Sequence, residues 1–195
     1  MSIMARTPAL RTLLRARLAA FAGESRGSVT VEAVIMLPML VWAYCALFTF
    51  FDAYRQTSIS EKAAYTISDM LSRETNPIDD ALLDGGYDML SFLTRSNSER
   101  RMRVTVVRYD GDNDEYDVRW SQVRGSVTAY AEGPSADFVD RLPVMVNEEQ
   151  IILVETWMDY SAPFDVGLGD QTVQTFIFTR PRFGQQICWE ECQLL

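Results

Sequence analysis

The feature that most constrains this chain is a run of 19 residues with no charged side chain, AVIMLPMLVWAYCALFTFF, from Ala33 to Phe51. An α-helix rises about 1.5 Å per residue, so the run would be about 28 Å long, close to the roughly 30 Å hydrocarbon core of a bilayer. Buried helices of soluble proteins seldom stay uncharged for so long. The run therefore predicts a single transmembrane helix over residues 28–51.

The charges on either side of this run predict its orientation. Residues 1–27 contain five arginines and one glutamate, which is a net charge of +4; the whole chain carries −9, so residues 28–195 sum to −13. Positive residues flank the cytoplasmic end of a membrane span. We therefore expect residues 1–27 to be a basic cytoplasmic leader and residues 52–195 to form a domain on the other side of the membrane. The leucines of the leader fit either a short basic helix on the membrane surface or a disordered segment.

Two other interpretations of the apolar run fit less well. The apolar region of a cleaved secretory signal is about 7–15 residues long and ends in small residues at the cleavage site, whereas this run is longer and ends in FTFF. A lipoprotein signal would need a small residue before its cysteine, and Tyr44 precedes Cys45. A span that stays in the chain is the better interpretation.

The helix is predicted to continue past the membrane. No proline or glycine occurs between Met39 and Asn76, and an apolar stripe at helical spacing runs on to Leu71. Asn76-Pro77 ends the pattern, because a residue before proline avoids the helical region. We expect one helix over about residues 29–73, kinked at Pro38, with residues 52–73 as an amphipathic extension packed on the outer domain.

The remainder of the chain predicts an α+β fold with an antiparallel sheet. A second helix is expected over residues 78–96, although Gly85-Gly86 interrupts its pattern. Alternating residues then predict a hairpin and two later strands, with a short helix before them. The expected strands are residues 102–109, 116–123, 151–160 and 172–180, and the short helix is residues 135–141.

Composition argues against catalysis and against nucleic-acid binding. The chain has no histidine and a single lysine, Lys62, which removes the commonest general base and histidine-based triads. A domain of charge −13 would repel a phosphate backbone. We expect no enzymatic activity, no cofactor, no nucleic acid and no small-molecule substrate. A membrane-anchored enzyme remains as the alternative class, restricted to carboxylate, lysine or arginine chemistry.

Two sequence features invite a metal site but are better explained otherwise. The run DGDNDEYD (110–117) places aspartates at the spacing of a calcium loop, but Glu115 stands at the sixth position and Ser121 at the twelfth, so a hairpin turn is expected. Cys188 and Cys192 lack the four ligands of a structural zinc site. In an oxidising compartment they favour a disulfide, with a turn between them.

The entrance to the apolar run carries the most specific signal. Gly27 is followed after four residues by Glu32 and then by the helix. A glutamate there has a simple explanation, since the positive end of a helix dipole at the membrane interface favours a carboxylate. The same spacing resembles the class III signal of type IV prepilins. The longer string RGSVTVEAVIMLPML resembles the start of TadE/TadG-like proteins, pseudopilins of tight-adherence (Flp) pilus systems, with weaker likeness at residues 154–164 and 180–192.

The resemblance implies a function and roles for individual residues. A prepilin peptidase would cut between Gly27 and Ser28 on the cytoplasmic side, and Glu32 would pair with the new amino group of a neighbouring subunit. The chain would then be a non-catalytic pilus-assembly component of the bacterial inner membrane with a periplasmic domain. Its partners would be membrane lipid, other pilus or secretion subunits and the peptidase. The alternative is an uncleaved bitopic scaffold that binds envelope partners through its periplasmic domain.

Overall fold

The structure, a computed structural model, describes residues 12, 15–17, 19–20, 28–95, 99–183 and 187–190. The chain divides into two compact units, Met1–Phe48 and Thr49–Leu195. In the leader, the described residues are helical and those side chains are exposed.

One helix, α1, runs without a break from Ser28 to Ser72 and includes Pro38. Its bounds confirm the prediction of a single helix over about residues 29–73. Within the described part of the chain, α1 is the one helix long and apolar enough to cross a membrane. The chain then turns at Asn76-Pro77, where the sequence predicted the end of the helix.

Helix α2 spans Asp80–Thr94 and has a cap at each end. The Asp79 side chain accepts a hydrogen bond from the Leu82 backbone N–H (2.8 Å), and Arg95 closes the helix in the left-handed conformation. The helix passes through Gly85-Gly86 without the expected interruption. Gly86 is buried, and a Cβ placed there would be in ordinary van der Waals contact with Ile67 of α1, 3.6 Å from its Cγ2.

A five-stranded sheet in the order β3-β2-β1-β4-β5 forms the rest of the fold, and all its pairings are antiparallel. This confirms the predicted α+β class with an antiparallel sheet. The expected short helix at residues 135–141 is reduced to a 3₁₀ turn at Val139–Arg141. The strands are β1 (Arg100–Asp110), β2 (Glu115–Arg124), β3 (Gly133–Pro134), β4 (Gln150–Tyr160) and β5 (Gln171–Thr179).

Each face of the sheet is covered by a different part of the chain. The helix face packs against α1 and α2, and the open face is covered in part by the connection of residues 125–149. Buried residues of the helix-face core include Ile67, Leu71, Leu83, Val104, Val106, Trp120, Ile152 and Val154. Those of the open-face core are Val107, Val118, Phe138, Met145, Ile151 and Leu153.

A bulge in β2 decides which of its residues point to which face. Val106 pairs with Trp120 but Val107 pairs with Val118, so Arg119 is an extra residue. In a regular strand, positions 118 and 120 would point to the same face. The bulge instead sends Trp120 into the helix-face core and Val118 into the open-face core.

Candidate functional site

The first half of α1 is the most unusual surface of the protein. From Val29 to Tyr44 every side chain is exposed, and most are large and apolar. Each such side chain would cost roughly 1.5–3 kcal/mol to keep in water instead of in an apolar medium. A continuous apolar surface of this size on a helix is what a lipid environment stabilises.

Glu32 is the one charged residue between Val29 and Phe51. Its side chain is exposed, in the second turn of α1. The helix begins at Ser28, the residue that the predicted cleavage would make the new N-terminus. Gly27 and the Ser28 side chain lie outside what the structure describes, so the cleavage between them and the assembly role of Glu32 stay predictions.

The second half of α1, from Thr49 to Ser72, packs on the sheet with small and polar residues. The deepest apolar contacts are confined to its last three turns, where Ile67 and Leu71 are fully buried. Nearer the apolar half, the buried positions carry hydroxyl groups. The buried residues of this half are Thr49, Ser60, Ala63, Ala64, Ile67, Ser68, Leu71 and Ser72.

Polar contacts tie this half of α1 to β4 and β5. The Tyr160 hydroxyl donates to Asp52 Oδ2 at 3.1 Å, and Gln56 Nε2 donates to the Met158 sulfur at 3.3 Å. Further along the helix, the Ser68 hydroxyl lies 2.5 Å from that of Thr179. Burial of the phenol, together with its bond to the Asp52 carboxylate, raises the pKa of Tyr160 to about 12.

These contacts set the direction of the strands relative to the helix. Tyr160, at the end of β4, meets the start of this half of α1, whereas Thr179, paired with Ile152 near the start of β4, meets Ser68. β4 therefore runs opposite to α1, and β5 runs in the same direction as α1. No sequence pattern pointed to the Tyr160–Asp52 contact, because the two residues are 108 positions apart.

The predicted cysteine pair lies near the end of the described chain. Cys188 is part of a disulfide bond. Cys192 lies outside the described residues, so the pairing of Cys188 with Cys192 stays a prediction. The segment is held to the α1–α2 connection, because Ile78 N–H donates to the Cys188 carbonyl at 2.9 Å and Glu190 N–H donates to the Ile78 carbonyl at 2.8 Å. The neighbouring Trp189 ring packs against Trp120.

The acidic run at residues 110–117 forms the turn of the β1–β2 hairpin, as predicted. The Asp110 carboxylate accepts from the backbone N–H of Asp112 and from both the backbone and the side chain of Asn113. The side-chain bond from Asn113 is the main reason that the pKa of Asp110 lies below its usual range. Among the described residues, no group of histidine, cysteine, aspartate or glutamate side chains is arranged to hold a metal ion.

A buried ion pair on the open face was missed by the sequence reasoning. Arg103 and Glu155 face each other across β1 and β4, with Nη2 2.5 Å from the carboxylate oxygen Oε2. The guanidinium also lies 3.6 Å from the centre of the Tyr130 ring and donates to the Thr128 carbonyl at 2.9 Å. Paired in this way, the two charges hold the connection of residues 125–149 against the sheet.

Comparison with known proteins gives no relative. No family model, no curated protein and no solved structure matches the chain. A function therefore has to be argued from the geometry and from the sequence motifs.

Proposed function

We propose that this chain is a non-catalytic pilus-assembly component, a minor pilin or pseudopilin of the tight-adherence type. It is anchored by a single pass in the bacterial inner membrane, with the leader in the cytoplasm and the domain in the periplasm. The observation that carries the proposal is α1 itself. One helix of 45 residues has an exposed apolar first half and a second half that belongs to the core of a domain.

The continuity of α1 distinguishes a helix that is also part of the domain from a helix that serves only as a membrane anchor. A tether needs no defined structure between the membrane and the domain, and a flexible linker would serve. Here α1 is continuous from Ser28 to Ser72, and Thr49 and Ser60 of its second half are already buried in the domain. A helix whose second half is part of the domain suits a subunit that assembles through the first half of the same helix.

The resemblance at the start of α1 assigns the assembly contact. After cleavage at Gly27, the amino group of Ser28 in one subunit would pair with Glu32 of its neighbour. Two opposite charges attract far more strongly in a medium of low dielectric constant than in water. Each charge also offsets part of the cost of burying the other. The pair would therefore set the axial register of neighbouring helices.

Mass spectrometry of the membrane-extracted protein tests the cleavage. We expect a chain that begins at Ser28 in cells with an active prepilin peptidase. Gly27→Val should give a chain that keeps its leader, whereas the matched change Gly23→Val, four residues upstream, should leave processing unchanged. A wild-type chain that keeps its leader in such cells would favour the uncleaved bitopic scaffold instead.

The assembly role of Glu32 is tested separately. Glu32→Ala should lower the number of surface pili and leave the protein in the membrane fraction, because the span itself is unchanged. Glu61→Ala, which removes an exposed carboxylate from the second half of α1, is the matched control and should not affect piliation. Normal piliation in the Glu32→Ala strain would contradict the pairing.

The proposal also specifies the partners. They are inner-membrane lipid around the first half of α1, other pilus or secretion subunits, and a prepilin peptidase acting at Gly27. It requires no cofactor, nucleic acid or small-molecule substrate. The membrane-anchored enzyme is disfavoured by the composition, since the chain has no histidine and one lysine.

A further inference from the structure

Strand β5 is an edge of the sheet, and no other described strand pairs with its outer side. It pairs with β4 over nine residues, from Gln171 to Thr179, in a register without shifts. Its sequence, QTVQTFIFT, contains no charged residue and no proline. Proteins usually protect an edge strand with lysine, proline, a bulge or a covering segment, because exposed backbone groups pair readily with another strand.

Among the described residues, the opposite edge of the sheet is also largely unpaired. β3 pairs with β2 only at Asp117 and Val118, which leaves residues 119–124 of β2 uncovered on that side. In the described chain, the backbone–backbone hydrogen bonds outside the sheet and helix ladders involve neither residues 119–124 nor residues 171–179. Within the uncovered stretch of β2, the Val123 carbonyl accepts a bond from the Arg124 side chain.

The two edges run in opposite directions. β1 and β5 both run antiparallel to β4, and β2 runs antiparallel to β1. β5 and β2 are therefore antiparallel, because the sheet has an even number of long strands. If a second copy is placed beside the first in the same orientation, its β2 edge meets β5 as an antiparallel neighbour.

The side chains that point to the open face on one edge strand can also be placed opposite those that point to the open face on the other. Thr172 lies on the open face, where its hydroxyl donates to Asp159, and Gln174 follows it on that face. On β2, Ser121 lies on the open face, where its hydroxyl is 2.9 Å from that of Thr105, and Val123 follows it. Placing Gln174 opposite Ser121 puts Thr172 opposite Val123 and uses all six uncovered residues of β2.

Charge does not oppose the same pairing. The two arginines of the uncovered stretch are already paired within the chain, Arg119 with Asp117, and Arg124 with Asp80 and Asp84. β5 itself brings no charged side chain into the contact, so no like charges would meet.

We propose that the sheet continues from one copy of this chain to the next, with β5 of one copy paired antiparallel with residues 119–124 of β2 in its neighbour. The contact joins two different surfaces, so it repeats and builds an open array. It goes beyond the assembly role proposed above, because it rests on the domain alone and needs neither leader cleavage nor Glu32.

Disulfide crosslinking of the full-length chain in membrane vesicles tests the contact, in a background where Cys45 is replaced by alanine. Residues directly opposite in an antiparallel pair have Cα atoms about 4.5–5.5 Å apart, within the range of a disulfide. A chain with Thr172→Cys and Val123→Cys should form a ladder of crosslinked oligomers on oxidation. The matched control, Thr172→Cys with Gln122→Cys, should not, because neighbouring residues point to opposite faces.

A charge substitution in β5 tests the same contact without introduced cysteines. Gln174→Lys places a charge on the edge and should reduce the oligomers of the otherwise unchanged chain several-fold, measured in detergent by size-exclusion chromatography with light scattering. Ala81→Lys adds the same charge on the exposed surface of α2 and should leave them unchanged. Circular dichroism that matches the wild type shows that each variant is folded.

The outcomes separate this contact from the proposed function. A ladder for Thr172→Cys/Val123→Cys alone supports the contact even if the chain keeps its leader. Absence of the ladder, or equal ladders in the pair and its control, overturns the contact even if the chain begins at Ser28.

Discussion

The two halves of α1 belong to one helix but have different surfaces. Residues 29–48 expose large apolar side chains around the helix, and Glu32 is their one charge. Residues 49–72 turn one side to the sheet, and that side is made of alanine, serine and threonine with a few aliphatic residues at its end. The first half therefore suits a continuous apolar solvent, and the second suits a shaped protein surface.

The difference matches what two environments require, lipid around a whole helix and a sheet against one side of it. Lipid contacts a helix from every side and stabilises apolar surface, so large apolar side chains are favoured around the whole helix. A sheet contacts one side only, and close approach requires small residues there. Polar groups at that contact are acceptable because partners such as Asp52 with Tyr160, or Ser68 with Thr179, satisfy each other.

The largest effect is expected from placing charge in the first half. Leu40→Arg combined with Ala43→Arg should cost about 5–7 kcal/mol of membrane insertion, since each arginine near the centre of a span costs about 2.5–3.5 kcal/mol. The variant should disappear from the carbonate-resistant membrane fraction. Tyr65→Arg with Thr66→Arg adds the same charge to exposed positions of the second half and should remain in the membrane. Loss of both variants from the membrane fraction would contradict the difference between the two halves of α1.

The next effect comes from the core of the second half. Leu71 is fully buried, so Leu71→Ala should lower the free energy of unfolding of the domain by about 2–5 kcal/mol. Leu47→Ala removes the same atoms from an exposed position and should not change it. Urea unfolding in detergent, followed by tryptophan fluorescence, measures both. Equal losses would show that the first half also packs on protein.

A smaller effect is expected at the polar contact of Tyr160. Tyr160→Phe should lower stability by about 1–2 kcal/mol, because the Asp52 carboxylate loses its donor. The raised pKa also predicts a pH effect. The folded state keeps the phenol protonated to about pH 12, whereas the unfolded state releases the proton near its ordinary value of 10.

This contribution is therefore complete below pH 10 and is lost as the pH rises from 10 to 12. Urea unfolding of the wild type and of Tyr160→Phe at several pH values measures the difference between them. If that difference does not shrink between pH 10 and 12, the phenol does not make this contact in solution.

The smallest effects on stability are expected at two serines on the same side of α1, Ser68 and Ser60. Ser68→Ala removes the bond to Thr179 and should cost about 1 kcal/mol. Ser60 is buried, and its hydroxyl has no hydrogen-bond partner among the described residues. Ser60→Ala should therefore leave stability unchanged or raise it slightly, because an unpaired polar group no longer has to be buried. A loss at Ser60 equal to that at Ser68 would contradict this distinction.

Much of the fold could be predicted because its signals are local. The length of α1 follows from the absence of proline and glycine between Met39 and Asn76, and the four long strands follow from alternating residues. The interruption expected at Gly85-Gly86 was wrong, because the Asp79 cap and the burial of Leu83 and Leu90 hold the helix together through the two glycines. That burial depends on α1 and the sheet, which the local pattern does not include.

By itself, the sequence determined where a long apolar run lies, how far α1 extends and that an antiparallel sheet follows. These are properties of consecutive residues. The spacing of their apolar side chains indicates a helix or a strand, and a long uncharged run indicates an apolar environment. Tertiary structure alone decided that Arg119 bulges, so that Val118 and Trp120 enter different cores. It also decided which strands are left at the edges. The reason is physical: pairing, register and buried partners depend on residues far apart in the chain, and no local pattern records which of them meet.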